Sequence, residues 1–109
     1  MLSQAYDPST LAVSTDLEYR PGDPVRVRVA RRPGRVNVTD DGAAVRRAGR
    51  PAGWRASCAA LERELVVNVT RQGTVWLPVV PAGPPEGVVV ARIEKASLAL
   101  YQELLDLQG

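Results

Sequence analysis

Apolar and polar positions alternate strictly over Val25, Arg26, Val27, Arg28 and Val29, and again over Arg35, Val36, Asn37, Val38 and Thr39. Successive side chains of a strand point to opposite faces, so each run predicts a half-buried strand. Arg32-Pro33-Gly34 supplies turn chemistry between them, and the whole reads as a β-hairpin. Its inner face is Val25, Val27, Val29, Val36 and Val38. Its outer face is Arg26, Arg28, Arg35, Asn37 and Thr39, with Arg31 and Arg32 crowning the turn.

Other elements follow from the same kind of pattern. Thr10 to Thr15 fits a short edge strand inside an N-terminal segment, 1–24, that is otherwise irregular and ends in the turn Pro21-Gly22-Asp23-Pro24. Thr39-Asp40-Asp41-Gly42 stops the hairpin, and Asp40 or Asp41 can cap a short helix over Ala43 to Ala48, with Gly49 as its terminator. A second helix is expected from Trp54 to Glu64, because Trp54, Cys58, Leu61 and Leu65 fall on one face. Leu65 to Thr70 and Thr74 to Val80 read as a second hairpin, and Pro78 places its last strand at an edge.

A long C-terminal helix, Val89 to Leu107, closes the chain. Ile93, Ala96, Leu100, Leu104 and Leu107 form its apolar stripe, widened by Leu98, Tyr101 and Leu105 and interrupted by Glu94. The arc covers about half the circumference, more than the ~100° that one sheet needs, so the surplus must meet another helix or another subunit. The expected fold is α+β, with two antiparallel hairpins in a four- to five-stranded sheet, packed by two short helices and one long C-terminal helix. Helical connections leave a mixed sheet open. The echo of Val36-Asn37-Val38-Thr39 in Val67-Asn68-Val69-Thr70 reflects similar strand ends rather than a repeat.

Composition narrows the class. At 109 residues the chain is one domain, with 45% apolar and 24% charged residues and no phenylalanine, so the core must be aliphatic. One cysteine, Cys58, excludes an internal disulfide and suits a reducing compartment. With no leader-like start and no long apolar run, a soluble cytoplasmic chain is expected.

Net charge is only +2, but residues 20–55 hold ten arginines against three aspartates. Arg26, Arg28, Arg31, Arg32 and Arg35 are therefore the candidate phosphate-contact surface. Against nucleic acid stand the lack of an interleaved aromatic and a bias of thirteen arginines to one lysine, which a GC-rich genome also produces.

Catalysis finds little support. Without histidine, triad chemistry and His-ligated metal are excluded, and Cys58 on an apolar helix face reads as a structural thiol. Asp40-Asp41 lacks the converging oxygens of a cation site, and no phosphate-cradling glycine motif occurs. No cofactor is expected, and the chain reads as no enzyme.

A second candidate surface is apolar. Trp76, Pro78 and Val80 share the side of their strand away from Val75, Leu77 and Val79, and form a contact patch unless a helix covers them. With Leu98, Tyr101 and Leu105 they make the candidate partner surface. The function expected is that of a small non-catalytic protein-interaction or regulatory module, self-associating as a homodimer or binding an unidentified protein. Binding of nucleic-acid backbone through the arginine face is the alternative, and no membrane contact is expected.

Ser14-Thr15, the Pro21-Gly22-Asp23-Pro24 turn, the strand entering Thr39-Asp40-Asp41-Gly42 and the closing amphipathic helix together resemble an uncharacterised bacterial and phage domain family of unknown function. Asp40 and Gly42 match its strand-to-helix turn best, and the arginine-rich hairpin is not part of the likeness. The resemblance implies a fold and a bacterial or phage setting, with no established activity.

Overall fold

The computed structural model describes the backbone of residues 10–109 and the side chains of residues 16–109. The expected N-terminal segment therefore lies partly outside the described residues. Its described part is a strand, β1 (Thr10–Arg20), followed by β2 (Asp23–Arg32), β3 (Arg35–Thr39), α1 (Ala43–Ala48), α2 (Trp54–Leu65), β4 (Asn68–Val69), β5 (Val75–Val79) and α3 (Glu86–Gln108). The architecture is α+β. Five strands form one sheet in the order β1-β2-β3-β5-β4, and every pairing is antiparallel. Among the described residues the mixed sheet left open by the sequence does not occur, because the helical connections return the chain to the sheet running the other way.

The valine register is as alternation predicts. Val25, Val27, Val29 and Val38 are buried and Val36 packs against them, while Arg26 and Arg35 are exposed. Arg32 pairs directly with Arg35, and Pro33-Gly34 spans the two residues between them, Gly34 taking the positive φ of 72° that a type II turn requires. In β1 the register shifts between Ser14 and Glu18, and beyond that irregularity Tyr19 turns into the core.

The second hairpin differs from expectation. Leu65 ends α2 instead of opening a strand, and the pairing of β4 is confined to Asn68 and Val69. Nor is β5 an edge strand, since β3 lies on its other side. Pro78 is tolerated because β4 reaches only Val75 and Trp76, so no neighbour on that flank asks Pro78 for an N–H.

All helix packing is on the valine face. α3 touches β1, β2, β3 and β5, and it also touches both α1 and α2. Ile93, Ala96, Leu100 and Leu104 are fully buried in that layer. Part of the surplus apolar arc of α3 is met within the chain by the two short helices, whereas Leu105 and Leu107 of that arc are exposed. No helix of the described residues is long and apolar enough to cross a membrane.

Candidate binding face

A buried carboxylate holds the layers together. Asp40, only 2% exposed, accepts hydrogen bonds at Oδ1 from the amides of Gly42 (2.8 Å) and Val75 (2.9 Å), and at Oδ2 from the Ser97 hydroxyl (2.7 Å). Ser97 Oγ also lies 2.7 Å from Tyr19 Oη. One side chain thereby ties the turn before α1 to β5, α3 and β1. Burial pushes the Asp40 carboxyl above the usual range, and its hydrogen bonds to Ser97 and to backbone amides oppose that. The capping role expected of Asp40 or Asp41 is displaced. Gly42 occupies the cap position of α1 with no side-chain cap bond, and Asp40 acts from two residues earlier.

Beside this knot lies a polar cleft of about 240 Å3, lined by Arg26, Arg28, Arg46, Arg47, Asp23, Asp40 and Asp41 together with Tyr19 and apolar neighbours. Its acids are engaged. Asp41 takes a two-pronged bond from Arg28 (2.9 and 2.8 Å), and Asp23 takes one from Arg47 (2.7 and 3.0 Å). The Arg47 hydrogen bond holds the Asp23 carboxyl below its ordinary range. Arg47 also sits 4.5 Å from the Tyr19 ring centroid, and Arg46 donates to the Asp41 carbonyl. Charges paired in this way organise the cleft rather than leave a group ready to exchange a proton.

Cys58 is buried on α2, where desolvation, helped by Glu62, raises its thiol pKa. Such a thiol is a poor nucleophile. Among the described residues no group of three or more potential metal ligands occurs.

The open surface is on the other side of the sheet. The registers set Arg28 opposite Thr39, Thr39 opposite Trp76, and Trp76 opposite Asn68, one row across four strands. The next row is Ala30, Asn37 and Pro78. Among the described residues no helix packs there, and Trp76 is half-buried. It lines a shallow groove of about 270 Å3 with Arg28, Ala30, Asn37, Thr39, Thr70 and Thr74.

The two candidate surfaces from the sequence are redistributed. Trp76, Pro78 and Val80 are accessible in part, and Pro78 and Val80 are exposed. Tyr101 is not a partner residue: it is buried, edge-on to Tyr19 with centroids 5.2 Å apart. Leu98 packs partly against the core and Leu105 is exposed, but both belong to α3, across the sheet from Trp76.

The arginines divide likewise. Arg31 pairs with Val36 on the helix side and makes a 2.8 Å ion pair with Glu86 of α3, so it does not share the outer face. Arg26, Arg28, Arg32 and Arg35 do, by register. Sequence reasoning missed Asn37 and Thr39 as companions of Trp76, and it missed Asp40 as a structural centre, because both depend on strand order.

Comparison of the chain with protein-family models, curated proteins and solved structures finds no match.

Proposed function

We propose that this domain is a non-catalytic binding module whose working surface is the outer face of the sheet, centred on Trp76. One observation carries the reading: a large aromatic ring stands in a row with Arg28 and Thr39 on a face that no helix of the described residues covers. Tryptophan and arginine are enriched where binding energy concentrates, and isolated domains do not gain stability by leaving an indole at the surface. The neighbouring cleft argues against catalysis here, because its carboxylates are committed to amides, a hydroxyl and guanidinium groups.

Self-association through α3 has less behind it. A homodimer is expected from its wide apolar arc, and α1 and α2 take up much of that arc, leaving Leu105 and Leu107 exposed. The closed, burial-shifted Cys58 thiol fits a reducing interior, which supports a cytoplasmic setting.

A photo-crosslinking amino acid placed at Asn37 in the full chain, in the cells it comes from, tests the face. A discrete adduct is expected at position 37, lost when Trp76→Leu is added, and absent when the crosslinker stands at Ala91 on α3. Equal adducts at both positions, or none at 37, would remove the reading.

A further inference from the structure

We propose that the ligand of this face is single-stranded nucleic acid, with Trp76 stacking on a base and the arginines of the β2–β3 hairpin following the backbone. This rests on the reading that the outer face is the working surface, and adds the chemistry of what lands there.

The case begins with what the register assembles. The absence of an aromatic near the arginines weighs against nucleic acid as long as β2 and β3 are considered alone. Pairing of β3 with β5 supplies that aromatic, bringing Trp76 beside Thr39 and into the row of Arg28. Every base has a flat π-face, so one accessible indole can accept any of them. Alanine, threonine and asparagine around it leave a groove of about 270 Å3 rather than a wall.

Charge over the β2, β3, β5 and β4 part of the face is complementary to a polyanion. The three rows running from Arg28 to the hairpin end read Arg28–Thr39–Trp76–Asn68, Ala30–Asn37–Pro78 and Arg32–Arg35, with cations, amides and hydroxyls and no carboxylate among them. The last pair sets two arginines directly opposite each other across the ladder, where both can face one phosphate. Four residue steps along β3 lead from Arg35 to Thr39, about 13 Å at the rise of a strand. A short strand of nucleic acid spans that distance with a base on the indole. Asp41, at the margin, fixes the Arg28 guanidinium in place, so Arg28 contributes less net charge than the hairpin end.

Other polyanions use only half of this surface. An acidic peptide would engage the arginines and leave the indole without a flat partner. In a duplex the bases are stacked and their faces hidden from an indole.

Trp54 and Trp76 are the only tryptophans, so a Trp54→Phe background makes Trp76 the sole indole reporter. The full chain is titrated with an oligothymidylate of about a dozen nucleotides, a duplex of the same length and polyglutamate. Saturable quenching of Trp76 by the single strand is expected, with much weaker response to the other two. Trp76→Leu, scored by fluorescence anisotropy of a labelled strand, should weaken binding roughly tenfold, while Trp76→Phe keeps most of it.

Arg32→Gln and Arg35→Gln should each flatten the log–log salt dependence by about 0.7. No quenching at low salt, or equal binding of duplex or polyglutamate, overturns the proposal. In that event a protein adduct at Asn37 leaves the binding-module reading standing and the ligand class wrong, whereas no adduct at Asn37 removes both.

Discussion

On the helix side of the sheet Val25, Val27, Val29, Val38 and Val75 are sealed under α3, while of the positions between them Arg28, Ala30, Asn37 and Trp76 are half-buried on the opposite face and Thr39, expected on an open outer face, is buried among them. The two sets are adjacent residues of the same strands, so local propensity cannot account for the difference. What differs is the second layer. Fully burying a valine contributes on the order of 1.5–3 kcal/mol, and the sealed face gathers that term repeatedly, whereas the open face contributes little. Stability and recognition are therefore placed on opposite sides, and substitutions should separate them.

The largest effect is expected at Asp40. Asp40→Ala leaves the amides of Gly42 and Val75 and the Ser97 hydroxyl without their acceptor inside the layer. The expected loss is about 3–5 kcal/mol in urea unfolding, a large share of the 5–15 kcal/mol typical of a domain. Asp40→Asn, which keeps one acceptor oxygen, should recover part of it. A loss below about 1 kcal/mol would show that the knot does not hold the layers.

Gly73 is next. Its φ is +97°, and an added Cβ would stand 2.4 Å from Val45 Cγ2 of α1, with Trp54 also close. The β4–β5 turn is pressed against α1 there, so Gly73→Ala combines backbone strain with a clash. About 2–3 kcal/mol of destabilisation is expected by the same measurement.

Glu94 marks where the sealed side is imperfect. It is 3% exposed and its Oε2 has no hydrogen-bond partner, unlike both oxygens of Asp40. Burial raises its pKa, so the folded protein holds that proton more tightly than the unfolded chain does. The sign follows: stability is greatest below the ordinary glutamate range and declines as pH rises through that range toward the folded value. Asp40 acts in the same direction, and Asp23, whose carboxyl is held low by Arg47, acts in the opposite one, losing its contribution on acidification. Glu94→Gln should stabilise the domain by about 1 kcal/mol at pH 8 and leave it nearly unchanged at pH 4, measured as urea midpoints. An equal gain at both pH values would exclude charge as the cause.

Sequence pattern carried much of the sealed side and little of the open one. Alternation over Val25–Val29 and Val36–Val38 gave the strand faces, because a period of two is a local property. α3 was legible through its 3.6-residue stripe and α1 through the Gly49 that ends it, although the side-chain cap expected at the start of α1 is not made. The neighbour of β3 was not. Two hairpins in one sheet leave the order of their strands open, and nothing local states that β5, after two helices, returns beside β3. The row of Arg28, Thr39 and Trp76 exists only once that order is known. The link from Asp40 to Ser97 spans 57 residues, and that from Tyr19 to Ser97 spans 78. No window along the chain contains them. The arginine cluster was visible, but its division into ion pairs with Asp23, Asp41 and Glu86 and an outer-face set required the fold.

The smallest effect tests the open side most sharply. Arg32 and Arg35 are exposed and directly paired at the end of the hairpin. Like charges so placed repel, and the valines beneath them do not depend on either guanidinium. The double variant Arg32→Gln with Arg35→Gln should therefore unfold at equal or slightly higher urea, by no more than about 0.5 kcal/mol. Added salt should screen the repulsion in the unmodified domain and narrow that gap, since the Debye length falls from about 10 Å at 0.1 M to about 3 Å at 1 M. A gap that persists at high salt would mean that the substitutions act through side-chain packing. A clear loss of stability would mean that the hairpin end belongs to the sealed side after all, and the division of labour between the two faces would have to be drawn elsewhere.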